Sequence, residues 1–287
     1  MSGWLEVVRA GALTTVQDEG RPGYAHLGVP RAGALDGPAL RRANALVGNA
    51  ASAAGLETTL TGCAVRLPAG GVVAVTGAEA RIRVNGVDVS RESAFEVPPG
   101  GVVDVGRATA GVRSYVAVGG GVAVPAVLGS RSTDTLSGLG PARVRDGDRL
   151  PVGASTGGPA APAGSAPSTP PIRSELRLEV RLGPRQDWFT ADAIETLLGT
   201  PYTVSPNSNR VGARLAGAAL ARARPGELPS EGVVLGAVQV PADGQPLIFL
   251  ADHPTTGGYP VIAVVTDVSP LAQARPGATV RFHGSQR

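Results

Sequence analysis

The sequence predicts a mainly β protein in two halves with a few short helices. Three observations carry that expectation. First, 41 glycines and 25 prolines among 287 residues punctuate short runs rich in valine and other strand formers. Second, Asn85-Gly86 sits between Arg81–Val84 and Val87–Val89, a two-residue turn signal with strands on both sides. Third, residues 154–171 contain no charge and no large apolar side chain, so they cannot bury enough surface to offset chain entropy. The expected organisation is therefore a domain at 1–153, a Gly/Pro/Ser/Ala-rich linker at 154–173, and a domain at 174–287.

Taken in order, Val72–Thr76, Ala80–Val84, Val102–Val105, Arg113–Val118 and Arg177–Leu182 read as separate strands, each bounded by turn formers. Leu35–Val47 reads as a helix. Asp36 is its N-cap, Pro38 lies in the first turn, Ala39, Leu40, Ala43 and Leu46 share a face, and Gly48 stops it. Phe189–Leu198 is the second helix, entered at Thr190 and ended by Gly199. Both halves close on a turn feeding a terminal strand, at Arg145–Val152 and Arg275–Phe282, which hints at two related β-domains.

The second half centres on a hairpin. Val233–Val240 and Leu247–Ala251 flank Pro241-Ala242-Asp243-Gly244, where proline presets φ and glycine accepts a positive φ. Its second strand ends in Asp252, His253, Thr255, Thr256 and Gly257-Gly258-Tyr259, a polar rim with unobstructed backbone. A solvated loop is the competing reading of this rim.

Composition excludes several functions. All 26 basic residues are arginine, so the chain offers no lysine for biotin attachment, a Schiff base or a P-loop. Arginines are scattered and the net charge is only +3, which argues against a nucleic-acid partner. No apolar run reaches the length that spans a bilayer, and no secretory signal is visible. Three histidines and one cysteine make a zinc centre improbable, and Cys63 reads as a small core residue. A single cysteine also fits a reducing, cytoplasmic setting.

Polar residues concentrate around glycines in three places: Thr14–His26, continuing through Gly28–Asp36; Ser205–Leu215; and the hairpin rim. Singly, Asn and Ser are turn residues and Asp36 is a cap. Together, Gln17, Asp18, Arg21, Asn207, Asn209, Arg210, Gln239, Thr255, Thr256 and Tyr259 suit recognition of a small molecule bearing amide or carboxylate groups. Asp252, His253 and Glu231 are the candidates for catalysis.

These stretches carry a resemblance. T-T-V-Q-D-E-G-R-P-G-Y, G-V-P-R-A-G-A-L-D, P-N-S-N-R-V-G, S-E-G-V-V-L-G-A-V-Q-V-P-A-D-G-Q-P and A-D-H-P-T-T-G-G-Y-P look like the biotin-dependent carboxyltransferase family, in order from Leu5 to Phe282. That family includes KipA-type proteins, which form the C subunit of bacterial ATP-dependent 5-oxoprolinase, and the carboxyltransferase region of urea carboxylase. Glu19 and Ala32 depart from its usual apolar and serine residues, which weakens the N-terminal motif as a carrier of site assignments.

The resemblance implies two cyclophilin-like β-barrel domains and two partner proteins, one KipI-like and the other LamB/YcsF-like. It implies ATP as co-substrate at a site shared with a partner, and opening of 5-oxo-L-proline to glutamate. The alternatives are carboxyl transfer to a urea-like amide, with biotin arriving on another protein, and a non-catalytic regulator that binds a KipI-like inhibitor.

Overall fold

A computed structural model describes residues 3–154, 172–226 and 228–284, and its secondary structure is mainly β. The central part of the expected linker, residues 155–171, lies outside the described residues. The chain forms two compact units. The first comprises the described residues within Met1–Arg21, Ala32–Asp134 and Gly138–Ile172. The second comprises those within Pro22–Arg31, Thr135–Ser137 and Arg173–Arg287. Compared with the expected halves 1–153 and 174–287, two short segments, Pro22–Arg31 and Thr135–Ser137, therefore lie in the second unit.

The first unit is built on β1 (Gly3–Arg9), β2 (Thr14–Gln17), α1 (Gly37–Leu46), β3 (Gly55–Thr59), β4 (Ala64–Leu67) and β5 (Gly71–Val84). It continues with β6 (Val87–Val89), β7 (Ala94–Val97), β8 (Gly101–Val118) and β9 (Arg149–Val152). These nine strands make one sheet, in which β2, β3, β8, β4, β1 and β9 lie side by side. β8 organises it. One edge of this strand pairs with β4 through its first residues and with β3 through its last, and the other edge pairs with β5. Register shifts between Gly77 and Ile82 insert extra residues there, so the two longest strands bend as they cross and the sheet curls.

That crossing corrects the expected strand list. Val72–Thr76 and Ala80–Val84 are one strand, as are Val102–Val105 and Arg113–Val118, because glycines between them become bulges instead of turns. The Asn85-Gly86 turn is present: Val84 faces Val87, with φ of 50° at Asn85 and 85° at Gly86, both of which a tight two-residue hairpin requires. One face of the sheet packs a core including Leu5, Val16, Leu56, Val75, Val103 and Val116. The other receives α1 through Ala39, Leu40, Ala43 and Leu46, against Ala74, Tyr115 and Ala117. Asp36 caps this helix as expected, accepting from the Ala39 amide at 3.0 Å. Cys63 is buried, and burial pushes its thiol up to about 11.

The second unit contains β10 (Glu175–Leu182), α2 (Ala191–Gly199), β11 (Tyr202–Val204), β12 (Gly212–Ala216) and β13 (Glu231–Gly232). It then adds β14 (Ala237–Gln239), β15 (Leu247–Phe249), β16 (Thr256–Gly257), β17 (Val261–Val265) and β18 (Thr279–Gly284). Seven strands close into a barrel in the order β10-β17-β14-β15-β12-β11-β18, the parallel pair β10–β18 completing the ring. Alternation explains the inward face: Leu176, Leu178 and Val180 are buried on β10, as are Val280 and Phe282 on β18, while the residues between them are not. The expected hairpin is β14–β15, shorter than its apolar runs, with Val238 opposite Ile248 and the Gly244 amide closing the turn on the Pro241 carbonyl. Thr190 caps α2, but Gly199 forms its last residue and Thr200 follows as the cap.

Candidate functional site

In the first unit, β2 delivers Gln17 and Asp18 to its end. Asp18 is a hub. Its Oδ1 accepts from the Gly20 amide at 2.8 Å and from the hydroxyls of Ser130 and Ser132, each at 2.6 Å. Its Oδ2 accepts from the Arg131 amide at 2.6 Å, and its own amide donates to Ser132 Oγ at 2.9 Å. A carboxylate engaged by four donors holds a loop; it leaves little capacity to receive a substrate. The Ser130–Thr133 strip is thereby fastened beside β2, and the Thr133 amide bonds the Val16 carbonyl.

Gln17 and Arg21 lean on the same strip. Gln17 Nε2 donates to Thr15 Oγ1 at 2.9 Å and to the Thr133 carbonyl at 3.0 Å. Arg21 donates through Nη2 to the Ser132 carbonyl and through Nε to the Val127 carbonyl at 3.4 Å. Gln17, Asp18 and Arg21 are thus brought together by Ser130–Thr133, a run of hydroxyl residues that the sequence reading passed over. The signal was available, since Ser130-Arg131-Ser132-Thr133 follows Gly129 and is dense in short polar side chains.

A second buried network lies under the start of α1. Tyr115 donates its hydroxyl to Glu57 Oε2 at 2.9 Å and accepts from the Asp36 amide at 2.7 Å. Glu57 also accepts from the Leu35 amide at 3.0 Å and faces Arg113 at 3.5 Å. Burial, reinforced by the neighbouring Glu57 charge, raises the Tyr115 phenol well above its ordinary range.

In the second unit, Asp252 and Arg210 form a fully buried two-pronged ion pair. Arg210 Nε and Nη2 reach the two carboxylate oxygens, each at 2.9 Å. Asp252 Oδ2 also accepts from the amide of Thr135 at 3.0 Å and from its hydroxyl at 2.6 Å. The Asp252 amide in turn bonds the Arg210 carbonyl at 3.0 Å. This arrangement positions Thr135–Ser137; it gives Asp252 the surroundings of a structural anchor instead of a base. Arg210 is correspondingly committed to a carboxylate of the protein itself.

His253 is buried with its ring tilted 5.8 Å from Phe249, and its Nδ1 lies 2.6 Å from the Pro254 carbonyl. A carbonyl partner requires the proton on Nδ1, which makes Nε2 the basic nitrogen of the neutral ring. Glu231 pairs through both oxygens with Arg185 Nε and Nη2, and that hydrogen bonding lowers its carboxyl. Gln239 donates to the Tyr259 carbonyl at 2.8 Å. A Cβ at position 257 would come within 2.5 Å of Gln239 Nε2, so a side chain there would have to push this amide aside.

The remaining candidates disperse. Asn209 turns back on its own chain, its Oδ1 accepting from the amides of Val211 and Gly212 at 2.8 and 3.2 Å. Asn207 and Thr256 are exposed, Thr255 is half-buried with its carbonyl bonded to Val233, and Tyr259 is 46% exposed. A cleft of about 1040 Å³ in this unit is lined by residues including Arg222, Leu228, Gly258 and Tyr259, and by neither Asp252 nor His253. No cluster of three metal-ligating side chains occurs among the described residues, and no helix there is long and apolar enough to cross a membrane.

A curled sheet and a closed barrel, each carrying buried amide, guanidinium and carboxylate groups, define a class that comparison identifies. The model of the carboxyltransferase domain, subdomains A and B, matches residues 27–284, and the chain belongs to this family. It is 40% identical to the C subunit of 5-oxoprolinase from Escherichia coli, over 97% of this chain and 90% of that protein. It is 34% identical to urea amidolyase of Saccharomyces cerevisiae, over 97% of this chain but 16% of that protein. The crystal structure of urea amidolyase from K. lactis superposes with a TM-score of 0.91 at 32% identity, covering 98% of this chain and 18% of that one.

Proposed function

We propose that the chain is the C subunit of a cytoplasmic ATP-dependent 5-oxoprolinase, acting with a KipI-like and a LamB/YcsF-like partner on 5-oxo-L-proline. The observation that carries this reading is the 40% identity to the corresponding 5-oxoprolinase subunit, which extends over nine-tenths of both chains. Opening an unstrained lactam requires activation of its carbonyl. Attack of the lactam oxygen on the γ-phosphorus of ATP releases ADP, and water then adds at the activated carbon. The C–N bond breaks with a proton passing to nitrogen, leaving an acyl phosphate that a second water hydrolyses to glutamate and phosphate. This chain's share is substrate recognition and stabilisation of developing charge. It has neither a P-loop nor a lysine, so the site for the ATP phosphates is either unconventional or on a partner.

The test is reconstitution. Purified alone, the chain makes no glutamate from 5-oxoproline and ATP; together with both partners it does. Turnover by the chain alone would overturn the shared arrangement. A second reading, carboxyl transfer to urea, draws support from the likeness to urea amidolyase, whose remaining length this chain does not contain. It requires a biotin carrier elsewhere, and carboxylated urea formed only when such a carrier is added would favour it. A purely regulatory role, binding a KipI-like inhibitor, predicts complex formation with no turnover in either assay.

A further inference from the structure

Three polar atoms of the first unit bear on how a substrate is recognised. Gln17 Oε1, Arg21 Nη1 and Thr133 Oγ1 are buried and make no hydrogen bond. Their residues are 0%, 1% and 3% exposed. Each such atom is costly, and folded proteins carry few of them without a water, ion or ligand to answer them. Here all three belong to residues joined at one strip: Gln17 holds the Thr133 carbonyl through its nitrogen, Arg21 holds the Ser132 carbonyl through Nη2, and Thr133 is itself part of the strip. The Gln17 amide has its orientation fixed, because its nitrogen must face the Thr133 carbonyl and the oxygen is the end left over. Asp18 then clamps the strip through Ser130, Arg131 and Ser132, so the three atoms are positioned independently of any guest.

Their chemistry is complementary. Gln17 offers an acceptor, Arg21 a cationic donor and Thr133 a hydroxyl. An N–H answers the first, and carboxylate oxygens answer the other two. We infer that Gln17, Arg21 and Thr133 form a subsite for a small secondary amide carrying a carboxylate, its N–H on Gln17 Oε1 and its carboxylate on Arg21 Nη1 and Thr133 Oγ1. The inference rests on the oxoprolinase reading and deepens it, since 5-oxoproline carries its carboxylate on the carbon next to the ring N–H. Asp18 acts through the strip as a positioning residue.

The experiment compares Thr133→Val and Thr133→Ser with wild type, in the assembled complex and as the isolated full chain. Thr133→Val raises the KM for 5-oxoproline about 10-fold or more while kcat stays within about twofold, because one hydrogen bond to a charged group is lost. Thr133→Ser restores the KM. The isolated Thr133→Val chain keeps or gains thermal stability, since an unanswered hydroxyl has gone. N-methyl-5-oxoproline, which lacks the ring N–H, fails to compete with 5-oxoproline on wild type. An active complex whose KM is unmoved by Thr133→Val overturns the subsite and leaves the oxoprolinase reading standing. Loss of stability with an unmoved KM also overturns it, assigning the three atoms to ordered water. A wild-type complex that never opens 5-oxoproline overturns the reading itself and this inference with it.

Discussion

Replacing Asp252 with alanine should weaken the barrel before it touches chemistry. The variant removes acceptors for four donors, Arg210 Nε and Nη2 and the amide and hydroxyl of Thr135. The Arg210 side chain is 1% exposed and would be left as a buried cation beside an emptied site. Breaking such a pair from one side costs about 3–5 kcal/mol. At roughly 2–4 °C per kcal/mol for a protein of this size, the unfolding midpoint should fall by about 6–20 °C. Calorimetry of the full chain measures this. Asp88→Ala is the control, because its partner Arg81 is 63% exposed and solvent screens that pair. The double variant Arg210→Met with Asp252→Leu should recover the part of the loss owed to the stranded cation, while the amide and hydroxyl of Thr135 stay unanswered. An Asp252→Ala chain melting within about 2 °C of wild type, yet inactive in the complex, would refute the structural assignment and return Asp252 to catalysis.

Other expectations follow from single contacts. Tyr115→Phe removes a hydroxyl shared by Glu57 and the Asp36 amide, and should cost about 1–3 kcal/mol by denaturant titration. Gly257→Ala sets a methyl group 2.5 Å from Gln239 Nε2 and should displace that amide from the Tyr259 carbonyl, costing about 1 kcal/mol, read as a lower melting midpoint; no change would mean the Gln239 side chain swings aside without loss. Burial raises the Cys63 thiol from 9.0 to about 11, so the folded state holds its proton more tightly than the unfolded chain. Stability from this source is complete below pH 9 and declines as pH rises toward about 11, and Cys63→Ala should flatten that decline. The same burial makes the thiol inert, so maleimide labelling at about pH 8 should track global unfolding.

The sequence made legible what local chemistry decides. Asp36 and Thr190 cap helices because a short oxygen-bearing side chain precedes an amphipathic run, and Asn85-Gly86 makes a hairpin because both residues tolerate positive φ. The continuity of β5 and β8 was hidden, since a glycine reads alike as a turn or a bulge until its partner strand is known. The same limit governs the site. Asn209 looked like a ligand and serves its own turn, while Ser130, Ser132 and Thr133 drew no reading and turned out to frame Gln17 and Arg21. Long-range pairing, such as Asp18 with residues more than a hundred positions away, leaves no mark on spacing.

The route of the chain through its second unit sets an order on biosynthesis. Thr135 leaves the ribosome 117 residues before the Asp252 that will hold it, and Pro22–Arg31 leaves earlier still. The barrel closes only when β18, ending at Gly284, lies alongside β10. The strands β1 to β9 of the first unit have been made by then, whereas the second unit waits for β18 and must gather two segments translated long before. Contacts of such separation form late in folding. A fragment starting at residue 173 would build the seven strands without Thr135, leaving the Asp252 carboxylate without two of the four donors that hold it.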